Sequence, residues 1–393
     1  MKFALYTVVY SPHQVPLFKL IMGLLGEDEC RYVAAEPLMQ ERANMGWGDD
    51  MGSKWFFPGW KEPEMARQIL KEAEVLMIGI RDLPLIQYRS ERGLTTIYCA
   101  ERWFKPRMGM LRLLRPSYRK MARRFVKLLR ETESFMFYPM GIHAARDIAR
   151  LCGLFAGDLR CLFRAPKLDF ERRPGGRIYI REQGIGNREQ DKKYCLDKMR
   201  MWGYFVEPST ANSSTPPLTH SPTIKVLWVG RLLNLKRVDT IVRAVGEHAN
   251  LKRVDNSLPK ITLDIYGSGP EETRLKKLAA KYGDCIKFYP PVPIDEVRRL
   301  MREHDIYVLS SNAYEGWGAV VSEALEEGMK VVGTHEAGST ATILPNTQLF
   351  HAGDWRQLRK ILVSDDKKLS SIGEWNAKRA AEYITSFVGV RDE

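Results

Sequence analysis

No stretch of this 393-residue chain approaches the ~18–20 consecutive apolar residues that a membrane-spanning helix needs. The segment Met1–Tyr10 lacks the basic start, apolar core and small-residue cleavage site of a secretory signal, and its pattern reads as a strand. Cysteine is sparse: the six residues at positions 30, 99, 152, 161, 195 and 285 form no Cys-x-x-Cys pair and no Cys/His cluster. That spacing argues against structural zinc and a disulfide framework, and it points to a reducing cytoplasm. Glycine is missing where a dinucleotide oxidoreductase requires it, since Val8–His13 contains none after the first strand. No Asp-x-Asp follows an apolar strand, and Asp49-Asp50 falls in a loop without companion ligands, so no metal site is expected.

What is present describes an ordinary globular composition, 44% hydrophobic and 28% charged, long enough for two or three domains. The net charge of +13 is unevenly spread, with +11 in residues 1–207 and +2 in 208–393. Arg102–Arg130 alone holds eleven basic residues and no acidic one. Such a run points to an anionic partner, either a membrane surface or nucleic acid.

The second half alternates strand-like runs at Ile224–Val229, Ile261–Tyr266, Cys285–Tyr289, Asp305–Ser310 and Lys330–Gly333 with helical patterns. Val238, Ile241, Val242 and Val245 mark the first helix by their i, i+3, i+4, i+7 spacing. Repeated βα units predict a parallel sheet covered by helices on both faces. The first half starts similarly, with strand-like runs at Lys2–Tyr10, Arg31–Ala35, Val75–Ile80, Thr95–Cys99 and Ser134–Tyr138. The expected fold class is therefore α/β, two Rossmann-like doubly wound domains facing across a cleft. Expected boundaries are 1–207 for the first domain, a Ser/Thr/Pro-rich linker at 208–222, and 223–370 for the second. An apolar stripe through Ile372, Trp375, Ala380, Tyr383, Ile384, Phe387 and Val388 predicts a terminal helix, 371–393, that docks back on the first domain. The Gly/Arg-rich Phe155–Lys193 reads as an insertion with no assigned structure.

Three loops of the second domain carry chemistry. Gly230-Arg231-Leu232-Leu233-Asn234-Leu235-Lys236 joins a strand to a helix N-terminus, where amides, dipole and cations together suit a diphosphate. Arg231 can grip phosphate through two donors and Lys236 acts as a point charge, although a basic βα loop is also commonly just solvated. Tyr266-Gly267-Ser268-Gly269-Pro270 permits close backbone approach, or is simply a tight turn. In the third loop Glu315 is followed by Gly316-Trp317-Gly318, whose glycines are expected to open a helix that carries Glu323 about two turns in. Carboxylates beside a diphosphate need another task, and accepting bonds from paired sugar hydroxyls is one. Glu326 and Glu327 read as helix-surface charges.

The order GR…K, YGSGP, EGWGAVVSEALEEG and KVVGTHEAGS, over about Ile224–Leu344, resembles the donor-binding domain of family 4 retaining glycosyltransferases with the GT-B fold. That resemblance implies a nucleotide-sugar held mainly by the second domain, in a UDP- or GDP-linked form, with no cofactor. Arg231 and Lys236 then hold the diphosphate, Glu315 the donor-sugar hydroxyls and Glu323 the ribose. Gly230, Gly316, Trp317 and Gly318 offer backbone near the sugar and phosphates, while Gly267 and Val292 lie near the base. A first-domain histidine facing the donor sugar is a family feature, for which His143 is the best candidate. Together His143, Arg231, Lys236 and Glu315 form the expected catalytic set. Ser11-Pro12-His13-Gln14 stands where the family often has Gly-Gly, so His13 and Gln14 are candidates for an acceptor or phosphate loop. SPHQVPL, ERANMGWG and DKMRMWGYF resemble a bacterial capsule or exopolysaccharide subgroup. Retention, a hexose-type donor sugar and a glycan or polyprenyl-diphosphate-linked acceptor follow as expectations. A nucleotide-sugar epimerase or hydrolase, a nucleotide-sugar sensor, and a nucleic-acid-binding protein remain as alternatives.

From Ser117 the basic run forms an amphipathic helix, with Tyr118, Met121, Phe125, Leu128 and Leu129 on one arc. Arg119, Lys120, Arg123, Arg124, Lys127 and Arg130 occupy the other. The apolar arc suits a domain core and the cationic arc an anionic inner leaflet, which predicts a cytoplasmic protein peripheral to the plasma membrane.

Overall fold

The computed structural model describes residues 1–43, 48–106, 108–164, 166, 168–172, 178–182, 195–206, 223–364 and 377–389. The chain divides into two compact units, Met1–Val206 with Gly373–Glu393, and Glu207–Ile372. The expected linker 208–222 lies outside the described residues, as do Ile372 and Trp375.

Unit 1 is built on a parallel sheet of β1 (Phe3–Thr7), β2 (Cys30–Ala34), β3 (Phe56–Pro58), β4 (Val75–Ile78), β5 (Thr95–Ala100) and β6 (Phe135–Pro139). Its order is β3-β2-β1-β4-β5-β6. Helices α1 (Val15–Leu25), α2 (Gln40–Ala43), α3 (Pro63–Glu72), α4 (Leu83–Ser90), α5 (Pro116–Glu131) and α6 (Ile142–Phe155) connect or follow the strands. Every residue of β4 is buried, as expected for a strand covered on both faces. Part of the insertion forms an antiparallel hairpin, β7 (Leu168–Arg172) with β8 (Ile178–Glu182).

Unit 2 repeats the design with β9 (Thr223–Val229), β10 (Lys260–Tyr266), β11 (Ile286–Tyr289), β12 (Ile306–Leu309), β13 (Lys330–Thr334) and β14 (Leu349–Phe350). Their order, β11-β10-β9-β12-β13-β14, is the same doubly wound order. In the helix Val238–Val254 the four residues that set the spacing are all buried. Each such side chain contributes roughly 1.5–3 kcal/mol by leaving water.

The last helix, Ala377–Thr385, belongs to unit 1 and packs on α1. Ala380, Ala381 and Ile384 are fully buried there, Tyr383 stacks on Tyr138, and the amide of Gly389 donates to Glu74 Oε2. Small residues bring the helix close while Ile384 fills the remaining space. Ile384→Ala is expected to lower unfolding free energy in urea by about 2–4 kcal/mol. A loss below about 1 kcal/mol would mean the helix contributes little to unit 1.

Candidate functional site

In the second sheet the chain reverses its direction of travel between β9 and β12, and the loops leaving their carboxyl ends diverge there. That divergence opens a crevice at the topological switch point of a doubly wound sheet. Hydrogen bonds to backbone carbonyls fix both loops. The Asn312 amide donates to the Leu235 carbonyl (2.8 Å), Ser310 Oγ to the Lys236 carbonyl (2.6 Å), and Thr334 Oγ1 to the Ser311 carbonyl (2.6 Å). The β9 loop is also tied to the β10 loop, through Leu232 N–H to the Ser268 carbonyl (2.8 Å) and Glu271 N–H to the Leu232 carbonyl (3.0 Å).

Gly267 is the residue that makes this junction possible. Its φ is +150°, and a Cβ there would sit 1.9 Å from the Gly230 carbonyl oxygen. The glycine is thus needed to pack one loop on the other, a tight-turn role that suffices to explain it.

Lys236 ends the 3₁₀ turn Asn234–Lys236, one residue before the left-handed Arg237 and the long helix that follows. Its Nζ lies 2.5 Å from Glu315 Oε2, and Ser311 Oγ donates to the same oxygen at 2.8 Å. Two residues 79 positions apart, singled out for opposite ends of one ligand, therefore meet directly. Both are largely buried, which strengthens their attraction and holds each side chain in one orientation. Arg231 is exposed on the same loop. Arg237 turns away from this pair to bind both oxygens of Asp239 (3.1 and 3.2 Å).

Glu323 corrects one expectation. The helix after the third loop begins at Val320, not at Gly316, so Glu323 stands in its first turn instead of two turns in. The preceding residues are held as an irregular loop: Gly338 N–H donates to the Gly316 carbonyl and Ser339 N–H to that of Trp317, both at 3.0 Å. Gly318 has φ +87°, outside the helical region. Trp317 is buried. Glu323 is only 6% exposed, and burial pushes its carboxyl up to about 7, partly opposed by the Arg298 guanidinium.

Tyr307 on β12 was not singled out from the sequence. Fully buried, it donates to the Val229 carbonyl at the end of β9 (3.4 Å). Burial, and then the charges of Glu315 and Glu323, push its phenol well up from the ordinary value. It therefore stands within electrostatic reach of both carboxylates and stays neutral, its proton committed to the Val229 carbonyl. Its only sequence signal was a polar tip on an otherwise apolar strand. Glu327 is a second correction: it is buried and ion-paired with Arg298 (2.5 Å) and Arg302 (2.8 Å) on the helix Ile294–Glu303. That pair of bonds anchors the end of the Glu323 helix; Glu327 is not a solvated surface charge. Val292 follows β11, half-buried against the apolar cluster of Leu227 and Val297. Beside it in the fold, Tyr266 and Tyr289 end adjacent strands and stack at 4.5 Å.

In unit 1, His13 and Gln14 follow β1, and His143 is the second residue of α6 after β6. Parallel strands put both at the carboxyl edge of one sheet, with β4 and β5 between. Gln14 is buried within a turn, its amide donating to the Ser11 carbonyl (3.0 Å). His13 lies 5.5 Å from the Tyr204 ring, and burial followed by the nearby Arg42 charge drops its pKa to about 4. It is a neutral imidazole at pH 7. His143 is half-buried behind Gly141, whose φ of +92° starts the helix. Asp50 bonds Lys19 (3.1 Å) and the Tyr10 hydroxyl (3.2 Å). Among the described residues no group of three His, Cys, Asp or Glu side chains could hold a metal ion.

Two Rossmann-like domains with this strand order define a GT-B fold, and solved structures of that fold match along the whole chain. One is Anabaena HepE in complex with UDP, at TM-score 0.56 and 13% identity, covering 99% of this chain and 96% of that one. Residues 214–374 match the family model of glycosyl transferases group 1. The GtfA subunit of the UDP-N-acetylglucosamine–peptide N-acetylglucosaminyltransferase of Streptococcus pneumoniae is 29% identical over 148 residues, 37% of this chain and 27% of its own. The amylovoran biosynthesis glycosyltransferase AmsK of Erwinia amylovora is 27% identical over 176 residues, 42% of each chain. The chain thus spans well under half the length of these curated relatives. Together the matches show the GT-B fold along the chain and a likeness of its second unit to glycosyl transferases group 1.

Two outcomes test the geometry. Gly267→Ala is expected to destabilise the chain by more than about 3 kcal/mol, because a methyl group displaces the Gly230 carbonyl at a backbone angle alanine resists; an unchanged melting temperature would contradict the junction. For Glu323, a carboxyl pKa above its ordinary value means that the folded state holds a proton the unfolded chain releases. Its contribution to stability is therefore fully present below the unfolded value near 4.5 and is lost as pH rises to about 7. Glu323→Gln should melt higher than wild type at pH 8 by a few degrees and lose that advantage at pH 5. An equal difference at both values would show that Glu323 does not titrate there.

Proposed function

We propose that this protein is a retaining, metal-independent glycosyltransferase moving a hexose-type sugar from a nucleotide-sugar to a glycan or lipid-linked glycan acceptor in bacterial surface polysaccharide synthesis. The observation that carries the reading is the Lys236–Glu315 pair at the β9/β12 switch point. A nucleotide-sugar is anionic at its diphosphate and neutral, hydroxyl-rich at its sugar. A fixed cation beside a fixed carboxylate matches that sequence of groups along one ligand.

In this reading Lys236 and the exposed Arg231 neutralise the diphosphate, and Glu315 accepts bonds from donor-sugar hydroxyls. Glu323, ionised above pH 7, accepts from the ribose. Backbone amides of Gly316–Gly318 line the sugar and phosphates beside the Gly230 turn, with Gly267, Val292 and the Tyr266–Tyr289 stack toward the base. His143 is assigned to the donor sugar from unit 1, and His13 and Gln14 to the acceptor or phosphate loop.

Transfer breaks the bond between the anomeric carbon and the diphosphate oxygen and forms one to an acceptor oxygen on the same face. The departing oxygen takes the acceptor proton, so atoms and charge balance without a protein nucleophile. Lys236 and Arg231 stabilise the negative charge that develops on that oxygen, and pre-positioned charges of this kind usually dominate barrier lowering. HepE is solved with UDP and with UDP-glucose, and that chemistry supports a UDP-linked donor here.

Lys236→Ala is expected to lower kcat/KM by at least about 10²-fold. Glu315→Ala is expected to lower turnover comparably, with melting curves showing both variants folded. A panel of UDP, GDP and ADP and their sugar forms identifies the donor beforehand, by the largest rise in melting temperature. Near-normal turnover in either variant would contradict the assignment, and donor hydrolysis that no acceptor accelerates would favour an epimerase or hydrolase.

A further inference from the structure

The charge on α5 has a partner question that the nucleotide-sugar reading leaves open. Its apolar arc is consumed by the core: Ala122, Phe125, Val126 and Leu129 are all buried. Its other arc stays in water, with Arg119, Lys120, Arg123 and Arg124 exposed along consecutive turns. Tyr118, Met121 and Leu128 at the margins of that arc are half-buried, so the helix itself offers little apolar surface to insert.

The preceding segment supplies that surface. Gly109–Leu114 is a 3₁₀ helix, in which residues three apart line up on the same side. Met108, Leu111 and Leu114 keep that spacing and are 37%, 61% and 74% exposed. Leu113, on a different side, is buried and fastens the segment to the domain, while Arg112 Nη1 reaches the Trp103 carbonyl (3.4 Å). Arg115 both ends this segment and caps α5, so the apolar ridge runs directly into the cationic helix. Three basic residues, Arg115, Arg119 and Lys120, then crowd the positive end of the α5 dipole with no acidic residue in the first turn. That arrangement is unfavourable in water and is relieved by anions. Beyond α5, Arg123 lies over the Phe155 ring (5.5 Å) at the end of α6. The next 3₁₀ segment, Leu159–Leu162, is followed by Phe163, which is 88% exposed.

We propose that the ridge Met108–Leu111–Leu114 and the cationic face of α5 form one docking surface for an anionic lipid bilayer. The ridge enters the headgroup boundary to a depth of about 5–10 Å, and the α5 cations contact lipid phosphates. No helix among the described residues is long and apolar enough to cross a membrane, so attachment by this face is peripheral. Nucleic acid offers phosphates but no apolar layer for three exposed side chains in a row. The surface lies wholly in unit 1, so its failure would leave the donor reading of unit 2 untouched.

The test is co-sedimentation of the full chain with phosphatidylcholine vesicles and with phosphatidylcholine/phosphatidylglycerol vesicles. Partitioning onto the anionic vesicles is expected to exceed that onto the neutral ones by at least about tenfold and to weaken with salt. Leu111→Asp with Leu114→Asp should lower it by at least about tenfold. Arg119→Ala, Lys120→Ala and Arg123→Ala together should lower it about a hundredfold, near fivefold for each cation. All five positions are exposed, so melting temperatures should not fall appreciably. No vesicle binding, equal binding to both vesicle types, or wild-type partitioning by either variant would overturn the proposal. So would salt-sensitive binding to DNA or RNA without vesicle binding, or a dimer that the leucine variant dissociates.

Discussion

The close backbone contact at the carboxyl ends of β9, β10 and β12 is the constraint on which the site depends. Gly267 lets the β10 loop reach the Gly230 carbonyl, the β9 loop is then pinned by Leu232, and Ser310 and Asn312 fasten the β12 loop to the Lys236 turn. Only with those loops fixed can Lys236 and Glu315 meet at hydrogen-bond distance. A lysine side chain has four rotatable carbons, and holding it in one place ordinarily costs about 2 kcal/mol of rotamer entropy. Here much of that cost is met during folding, so a ligand meets a cation already positioned. The same packing buries Tyr307 within electrostatic reach of Glu315 and Glu323 and leaves Glu323 reluctant to ionise.

Most of the scaffold was legible because βα alternation is a strong signal. Of the fourteen strands among the described residues, nine lie within a residue or two of the apolar runs that announced them and β1 stops three residues short of its run, while Val238, Ile241, Val242 and Val245 face the core as their spacing required. The edge strands β3 and β14, of three and two residues, are too short to show periodicity, and the hairpin β7–β8 lies in a Gly/Arg-rich stretch where the alternation Leu168-Asp169-Phe170-Glu171 is too brief to stand out. In α5, spacing identified the buried Phe125 and Leu129, yet Tyr118, Met121 and Leu128 are only half-buried because the contact arc is centred on Ala122 and Val126.

For the site, sequence position located the loops but not their three-dimensional partners. The meeting of Lys236 with Glu315 spans 79 residues and follows from strand order, which local patterns do not encode. Glu323 sits a turn shallower than the Gly316/Gly318 pattern suggests, because the carbonyls of Gly316 and Trp317 are tied to the amides of Gly338 and Ser339 and the helix starts only at Val320. Glu327 looked solvent-facing because Arg298 and Arg302, which bury it, come from another helix. Tyr307 carries almost no signal in the sequence, since its neighbours come from strand order and not from local pattern.

The central claim is that one cation and one carboxylate divide the work on a single ligand, Lys236 taking phosphate and Glu315 taking sugar. Calorimetric titration of Glu315→Gln with a nucleoside diphosphate and with the corresponding nucleotide-sugar separates those tasks most directly. Removing the carboxylate charge should leave diphosphate affinity equal or higher, because Lys236 no longer has an internal anion, while nucleotide-sugar affinity falls at least about tenfold. Equal losses for both ligands, or no change in either, would contradict the division of labour.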